Sequence, residues 1–244
     1  MKTTGNTILI TGGATGIGLA MASALLDAGN RVIVCGRREV KLHEAKRLLP
    51  ALETEMCDVA DPEDRQVLFE WTTSRFPELN ILINNAGVQS HVDFRDGPGA
   101  LKGDSEIAIN FEAPVQLAAL FIPHLKERPE AAIVNVSSGL AFAPLAIMPV
   151  YCATKAALHS FTISLRHQLR DTSIRVMEVV PPMVDTELDR GARADRGQMV
   201  RGIHPDEVGS ATIDGLANDR AEVLVGMAAS LRVEGEKMFG LMNR

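Results

Sequence analysis

The chain contains one tyrosine, Tyr151, and it stands four residues before Lys155 in the stretch "VYCATKAAL". On a helix, residues at i and i+4 share a face one turn apart. An ammonium beside a phenol favours the phenolate and draws its pKa down from about 10. A pair so arranged can give a proton to a carbonyl oxygen or take one from an alcohol. Tyr-x-x-x-Lys also arises where the tyrosine only packs, so the pair needs support from elsewhere in the chain.

A second set of residues is suited to anions. "TGGATGIG", residues 11–18, follows an apolar β-branched run and opens a helix-forming stretch, "LAMASALL". Glycines let a turn approach a ligand closely, and a helix N-terminus offers unpaired N–H groups to a pyrophosphate. The spacing of Gly12, Gly16 and Gly18 differs from GxGxxG, and a plain strand-to-helix turn would look similar. In dinucleotide-binding folds the ribose-reading residue lies about 20 residues on, at the end of the second strand. That position reads Gly36-Arg37-Arg38. It has no carboxylate to accept from ribose hydroxyls and two cations in its place. It therefore suits a 2′-phosphate, as in NADP(H), unless the arginines only solvate the next helix.

The elements that must hold these residues alternate along the chain. "TILIT" (7–11), "RVIVCG" (31–36), "NILINNAG" (80–87), "AAIVNVSS" (131–138), "IRVMEVVPP" (174–182) and "EVLVG" (222–226) read as strands. Amphipathic stretches at 16–28, 38–48, 62–75, 104–126, 150–170 and 205–217 read as helices. Continuous apolar strands separated by helices predict a sheet buried on both faces. The expected fold is therefore α/β: one Rossmann-type domain over 1–244 with a doubly wound parallel sheet of about seven strands. No repeat, low-complexity tract or linker divides it. Residues 186–204 lack periodicity and are expected to form a substrate lid.

Composition narrows the function classes. With 46% hydrophobic residues among 244, the chain can bury one large core. The net charge of −6, with cations scattered except in residues 190–201, argues against nucleic acid or an anionic membrane as a partner. Arg190, Arg193, Arg196 and Arg201 in that patch read mostly as a solvated face, with binding of an anionic substrate group as the alternative. Cys35, Cys57 and Cys152 have neither CxxC nor Cys/His spacing, so no disulfide or zinc site is expected and a reducing cytoplasm fits. Six histidines occur without HExxH; His159 and His167 read as surface or interface groups, and no metal is expected. Trp71 reads as core. The start of the chain has no signal-peptide design, and no window approaches the ~20 apolar residues of a membrane span.

Taken in order, these motifs resemble the short-chain dehydrogenases/reductases over nearly the whole chain. Thr11 to Gly18 matches the family's Thr-Gly-x-x-x-Gly-x-Gly, and Asp58-Val59 its adenine-flanking pair. Asn84-Asn85-Ala86-Gly87 matches its NNAG, Asn110 its active-site asparagine, and Ser138, thirteen residues before Tyr151, its serine. "SGLAFAPLA", "YCATKAALHSF", "LRHQLRDTS" and "PPMVDTEL" further resemble a bacterial group of these oxidoreductases named after D-alanylation gene clusters. One departure is Pro181-Pro182 where the family has Pro-Gly; a second proline removes an N–H donor and a glycine's freedom.

The resemblance implies an oxidoreductase moving hydride between NADP(H), with NAD(H) possible, and a small carbonyl or alcohol substrate. Asn110, Ser138, Tyr151 and Lys155 would be catalytic, with Asn110 holding the water that connects Lys155 to solvent. Gly12, Thr15, Gly16, Ile17, Gly18, Arg37, Arg38, Asp58, Val59, Asn85, Ala86, Gly87, Tyr151, Lys155, Pro181, Val184 and Thr186 would meet the cofactor. A homodimer or homotetramer through the helices near 150–170 and 205–217 is implied as well. Leu140, Phe142, Met148 and Met183 are candidates to line the pocket, with Gln89, His91 and Phe94 at its edge. The rivals are a dinucleotide-binding regulatory protein without chemistry, an NAD-preferring dehydrogenase of the same family, and a Rossmann-type methyltransferase. The last would have no need of Ser138, Tyr151 and Lys155.

Overall fold

In a computed structural model of the protein, which describes residues 1–188 and 202–244, alternate residues of each strand enter two different cores. Ile8 and Ile10 of β1 (Thr7–Thr11), Val32 and Val34 of β2 (Arg31–Gly36), and Ile81 and Ile83 of β4 (Ile81–Asn84) face one side. Leu9, Ile33 and Leu82 face the other. This period of two is what a sheet covered on both faces requires. The remaining strands are β3 (Glu53–Met56), β5 (Ala131–Val136), β6 (Ile174–Val180) and β7 (Glu222–Leu224). All pair in parallel, in the order β3-β2-β1-β4-β5-β6-β7. The sequence order reverses between β1 and β4, and in open α/β sheets ligands bind outside the carboxyl ends of the strands at such a switch point.

The first core lies between the sheet, α1 (Gly16–Asp27) and the helix Pro205–Ala217, through Met21, Leu25, Val208 and Leu216. Gly209 allows that close helix pairing, since a Cβ there would lie 2.9 Å from the Ala20 carbonyl oxygen. The second core holds Leu68 of α3 (Pro62–Arg75), Leu117 and Phe121 of α4 (Ala113–Lys126), and Leu165 of α5 (Pro149–Gln168). Helix α2 (Glu39–Leu48) follows β2; in chain order Pro205–Ala217 is α6, and α7 (Ala228–Glu234) and α8 (Phe239–Met242) end the chain.

The six strands and five of the six helices expected from the sequence are present, with the expected ends at 7–11, 31–36, 62–75 and 205–217 and shifted ends elsewhere. β3 has no apolar run, reading "ETEM" with an exposed Met56 at its end, which is why periodicity misses this edge strand. The stretch 104–126 is not one regular helix: a π-turn spans Ala108–Glu112 before α4 begins. Trp71 is only partly buried, packing edge-on against Phe76. Most of the expected lid, and its four arginines, lie at 189–201, outside the described residues. Among the described residues no helix is long and apolar enough to cross a membrane.

Candidate active site

The glycine turn is locked to the end of β4 by side chains. Thr11 Oγ1 accepts from the Asn85 and Ala86 N–H groups, both at 3.0 Å. Asn85 Nδ2 donates back to the Thr11 and Gly12 carbonyls at 2.9 and 3.1 Å. Gly12 has φ of 63°, and a Cβ on it would stand 2.8 Å from the Ala86 Cα. A Cβ on Gly18 would meet both Asn85 Nδ2 and the Gly12 oxygen at 2.5 Å. The turn thus needs glycine for its own closure, apart from any ligand. Thr15 caps α1 without a side-chain hydrogen bond, which leaves the first N–H groups of α1, including those of Ile17 and Gly18, to other partners.

Tyr151 and Lys155 occupy the first two turns of α5, both buried. Lys155 Nζ lies 5.7 Å from the Tyr151 ring centroid and donates to the Val136 carbonyl at 2.9 Å. Burial pulls the Lys155 pKa down to about 8, and the charge of Glu178 pushes against that fall. Gly87 brings the motifs together: a Cβ there would be 3.4 Å from Asn110 Oδ1 and 3.6 Å from Lys155 Nζ. Asn110, in the middle of the π-turn, is fully buried and its side chain makes three hydrogen bonds. It accepts from Val88 N–H at 2.8 Å and donates to the Val88 carbonyl at 2.8 Å and to Thr154 Oγ1 at 3.1 Å. Thr154 in turn donates to the Tyr151 carbonyl.

Ser138 begins a short 3₁₀ turn after β5, its Oγ accepting from Leu140 N–H at 3.1 Å. The next residue, Gly139, donates to the Pro181 carbonyl. Val184 bridges to Ile203, and Thr186 comes to rest against Gly16, where its Cγ2 would be 3.2 Å from a glycine Cβ. Of the expected pocket residues, Leu140 and Met148 share an apolar cluster with Tyr151 and Cys152. Met183 and Phe94 are exposed, and Phe142 instead packs edge-on against His159.

The adenosine end differs from expectation in its charge balance. Arg37 is already paired: Nη1 donates to Asp104 at 2.8 Å, Nη2 makes a second short bond to the same carboxylate, and Asp58 lies 4.0 Å away. Arg38 reaches Thr15 Oγ1 at 3.3 Å and Glu187 at 3.7 Å. Val59 is packed into the second core, its carbonyl taken by buried Arg65. A groove of about 590 Å³ runs along the outer side of the turn between Thr15, Gly16, Lys41, Thr186 and Glu187. Another, of about 500 Å³ along Val67, Glu70, Trp71, Ser74 and Arg75, is remote from all these residues.

His159, expected as a surface or interface group, is partly buried, with its side chain 17% exposed. Its Nδ1 donates to Glu178 at 2.7 Å, and the Glu178 side chain is only 1% exposed. Buried Asn135 and Glu178 were not singled out from the sequence. Their available signal is polarity inside or just after an otherwise apolar strand, as in "AAIVNV" and "IRVMEVV".

A sequence profile described as short chain dehydrogenase matches residues 6–197. The chain is 52% identical over 248 residues to an uncharacterized oxidoreductase, DltE, of Bacillus subtilis (strain 168), covering all of this chain and 98% of that protein. The structure of a short chain dehydrogenase from Burkholderia cenocepacia in complex with NADP superposes with a TM-score of 0.81 at 27% identity, covering 96% and 94% of the two chains. A short chain dehydrogenase/reductase from Burkholderia phymatum in complex with NAD superposes with a TM-score of 0.84 over 100% and 97%, and at 21% identity that likeness speaks for the fold. With this profile match and this degree of identity, the chain belongs to the short-chain dehydrogenase family of oxidoreductases.

Proposed function

We propose that the protein transfers hydride reversibly between a nicotinamide dinucleotide, NADP(H) by preference, and a small carbonyl or secondary-alcohol compound, with Tyr151 as acid and base. The observation that carries this reading is the meeting of Tyr151 and a buried Lys155 with Gly87 and Asn110 at the carboxyl edge of the sheet. The glycine turn suits the ligand, because the N-terminus of α1 that it leads into is uncapped by side chains. The solved Burkholderia cenocepacia relative in complex with NADP favours the same class of cofactor. Gly12, Thr15, Gly16, Ile17 and Gly18 would hold the diphosphate, Asp58 and Val59 the adenine. Arg37 and Arg38 would meet a 2′-phosphate. Asn85, Ala86, Gly87, Pro181, Val184 and Thr186, with Tyr151 and Lys155, would hold the nicotinamide half. When bound, the dinucleotide supplies or accepts the hydride.

The chain's own residues then manage the proton. In reduction the Tyr151 hydroxyl gives its proton to the substrate oxygen. Ser138 Oγ accepts from Leu140 N–H, which leaves its own proton to bond the same oxygen as charge grows there. Lys155, tethered to the Val136 carbonyl, stabilises the phenolate that remains. Asn110 fixes Val88 against α5 through Thr154 and, by family likeness, orders the water that reaches Lys155.

A second reading, an NAD-preferring enzyme, is favoured by one observation: Arg37 is engaged by Asp104. A regulatory protein without chemistry has little support while Ser138, Tyr151 and Lys155 are all in place. Buried thiols at Cys35, Cys57 and Cys152 fit work in a reducing cytoplasm, and assembly into a homodimer or homotetramer through α5 and α6 follows the family pattern.

The test is a panel of ketones, aldehydes and alcohols with both cofactors, read by nicotinamide absorbance, in wild type and Tyr151→Phe. The variant keeps the ring and loses the proton, so cofactor binding is expected to persist while turnover falls about 10²- to 10⁴-fold. A variant that keeps most of its rate refutes the role of Tyr151.

A further inference from the structure

Four strands carry polar residues at one level of the sheet. Asn84, Asn135, Glu178 and Glu222 are successive partners in register on β4, β5, β6 and β7. Strand alternation turns Asn84, Asn135 and Glu178 toward the second core, on the side of Leu82, Ile133 and Val176. Asn84 donates to Asn135 at 2.8 Å, and Asn135 donates to Thr162 of α5 at 2.9 Å. Glu178 is the exceptional member, since burying a carboxylate is costly unless it is paired and hydrogen-bonded. One of its oxygens accepts from Ser137 Oγ and the other from His159 Nδ1. Ser137 immediately precedes Ser138, and His159 lies one turn beyond Lys155 on α5. Phe142, in the turn after Ser138, meets the His159 ring with centroids 4.7 Å apart.

We propose that Glu178 is a positioning residue of the active site, tying the Ser137–Ser138 turn to α5 through His159 and so fixing Ser138 and Phe142 relative to Tyr151. This rests on the hydride-transfer reading of Ser138, Tyr151 and Lys155. The bonds of Glu178 join the two segments that carry Ser138 and the Tyr-Lys pair, and an apolar residue at 178 would join neither. The titratable groups around it are Lys155 and His159 from α5, Glu222 from β7 and Arg232 from α7, with Tyr151 beyond Lys155. Ligand atoms of His159, Glu178 and Glu222 come within 4.8 Å of one another. Arg232 Nε donates to Glu222 at 3.2 Å and its guanidinium lies 4.6 Å from the Phe142 centroid, so a protein cation already serves this cluster.

Tyr151 is the only tyrosine, so tyrosinate absorbance of the cofactor-free protein reads this residue alone. Removing a nearby negative charge lets both protons of the Tyr151–Lys155 pair leave more easily. In Glu178→Gln the tyrosinate titration is expected about one pH unit below wild type, while Glu178→Asp, which keeps the charge, stays close to wild type. In turnover, Glu178→Gln is expected to lower kcat roughly tenfold, through misplacement of Ser138, with little change in cofactor KM. A folded Gln variant whose titration is unmoved or moves upward overturns the proposal. Where the Gln variant does not fold, Glu178→Met, apolar like the neighbouring Val176 and equally uncharged, carries the same expectation and the same refutation. The titration needs neither cofactor nor substrate, so inactivity of wild type across the carbonyl panel would overturn the hydride-transfer reading by a separate measurement.

Discussion

Removing the Asp104 carboxylate is expected to tighten NADPH and leave NADH unchanged. In the structure Arg37 forms two hydrogen bonds with Asp104, and that pairing holds the Asp104 carboxyl below its ordinary pKa. A 2′-phosphate would recruit Arg37 only by displacing this partner. Bonds from a guanidinium to a phosphate contribute about 1.5–3 kcal/mol. The competing pair is exposed and solvent-screened, 42% and 44% on its two sides, and such pairs contribute about 0.2–1 kcal/mol. The net advantage of Arg37 for NADPH is then about 0.5–2.8 kcal/mol, roughly 2- to 100-fold in affinity. Arg37→Ala is expected to weaken NADPH by that factor. Asp104→Ala is expected to strengthen it by about 1.4- to 5-fold, most visibly at low salt. Fluorescence titration of both nicotinamides against wild type, each variant and the double variant measures these terms without a substrate. In the double variant the benefit of losing Asp104 through freeing Arg37 should vanish. NADPH affinity unmoved in both single variants, or NADH moved as much as NADPH, would refute the assignment of Arg37.

Gly18→Ala is expected to weaken both nicotinamides and to cost about 1–3 kcal/mol of stability in chemical denaturation, since its Cβ would sit 2.5 Å from Asn85 Nδ2. Gly99→Ala, which would meet only Lys102 at 3.9 Å, should show neither effect. The depressed Lys155 pKa has its own signature. Between about 8 and the ordinary 10.5, the native state has released a proton that the unfolded chain still holds, so the Lys155 contribution to stability rises with pH across that window. Measured against Lys155→Met, wild type should gain in relative melting temperature from pH 8 to 10.5 and show no such trend below pH 7. A flat difference would mean that burial does not depress Lys155.

The sequence alone determined whatever depends on local pattern. Continuous β-branched runs such as "TILIT" and "RVIVCG", alternating with helical stretches, read as strands of a sheet covered on both faces, and the glycines after the first run place a tight turn before a helix. Tyr151 and Lys155 share a helix face because their spacing is four. Edge strand β3 was not legible, because its side chains are half exposed and its apolar signal is absent. The π-turn at Asn110 was hidden for another reason: turn type depends on the hydrogen bonds a segment makes with its neighbours, Val88 and Thr154 among them.

Pairing across the chain was decided by tertiary structure. Nothing near Arg37 in sequence announces Asp104, 67 residues away, yet that contact holds the guanidinium that a 2′-phosphate would have to recruit. Likewise Glu178 reads in sequence as a polar flaw in an apolar strand. Only the parallel register of β5 and β6, with α5 laid across them, brings Ser137 and His159 to its two oxygens. Strand period and helix spacing are properties of a few consecutive residues, whereas the partner of a buried charge is chosen by whichever distant segment the sheet carries to it.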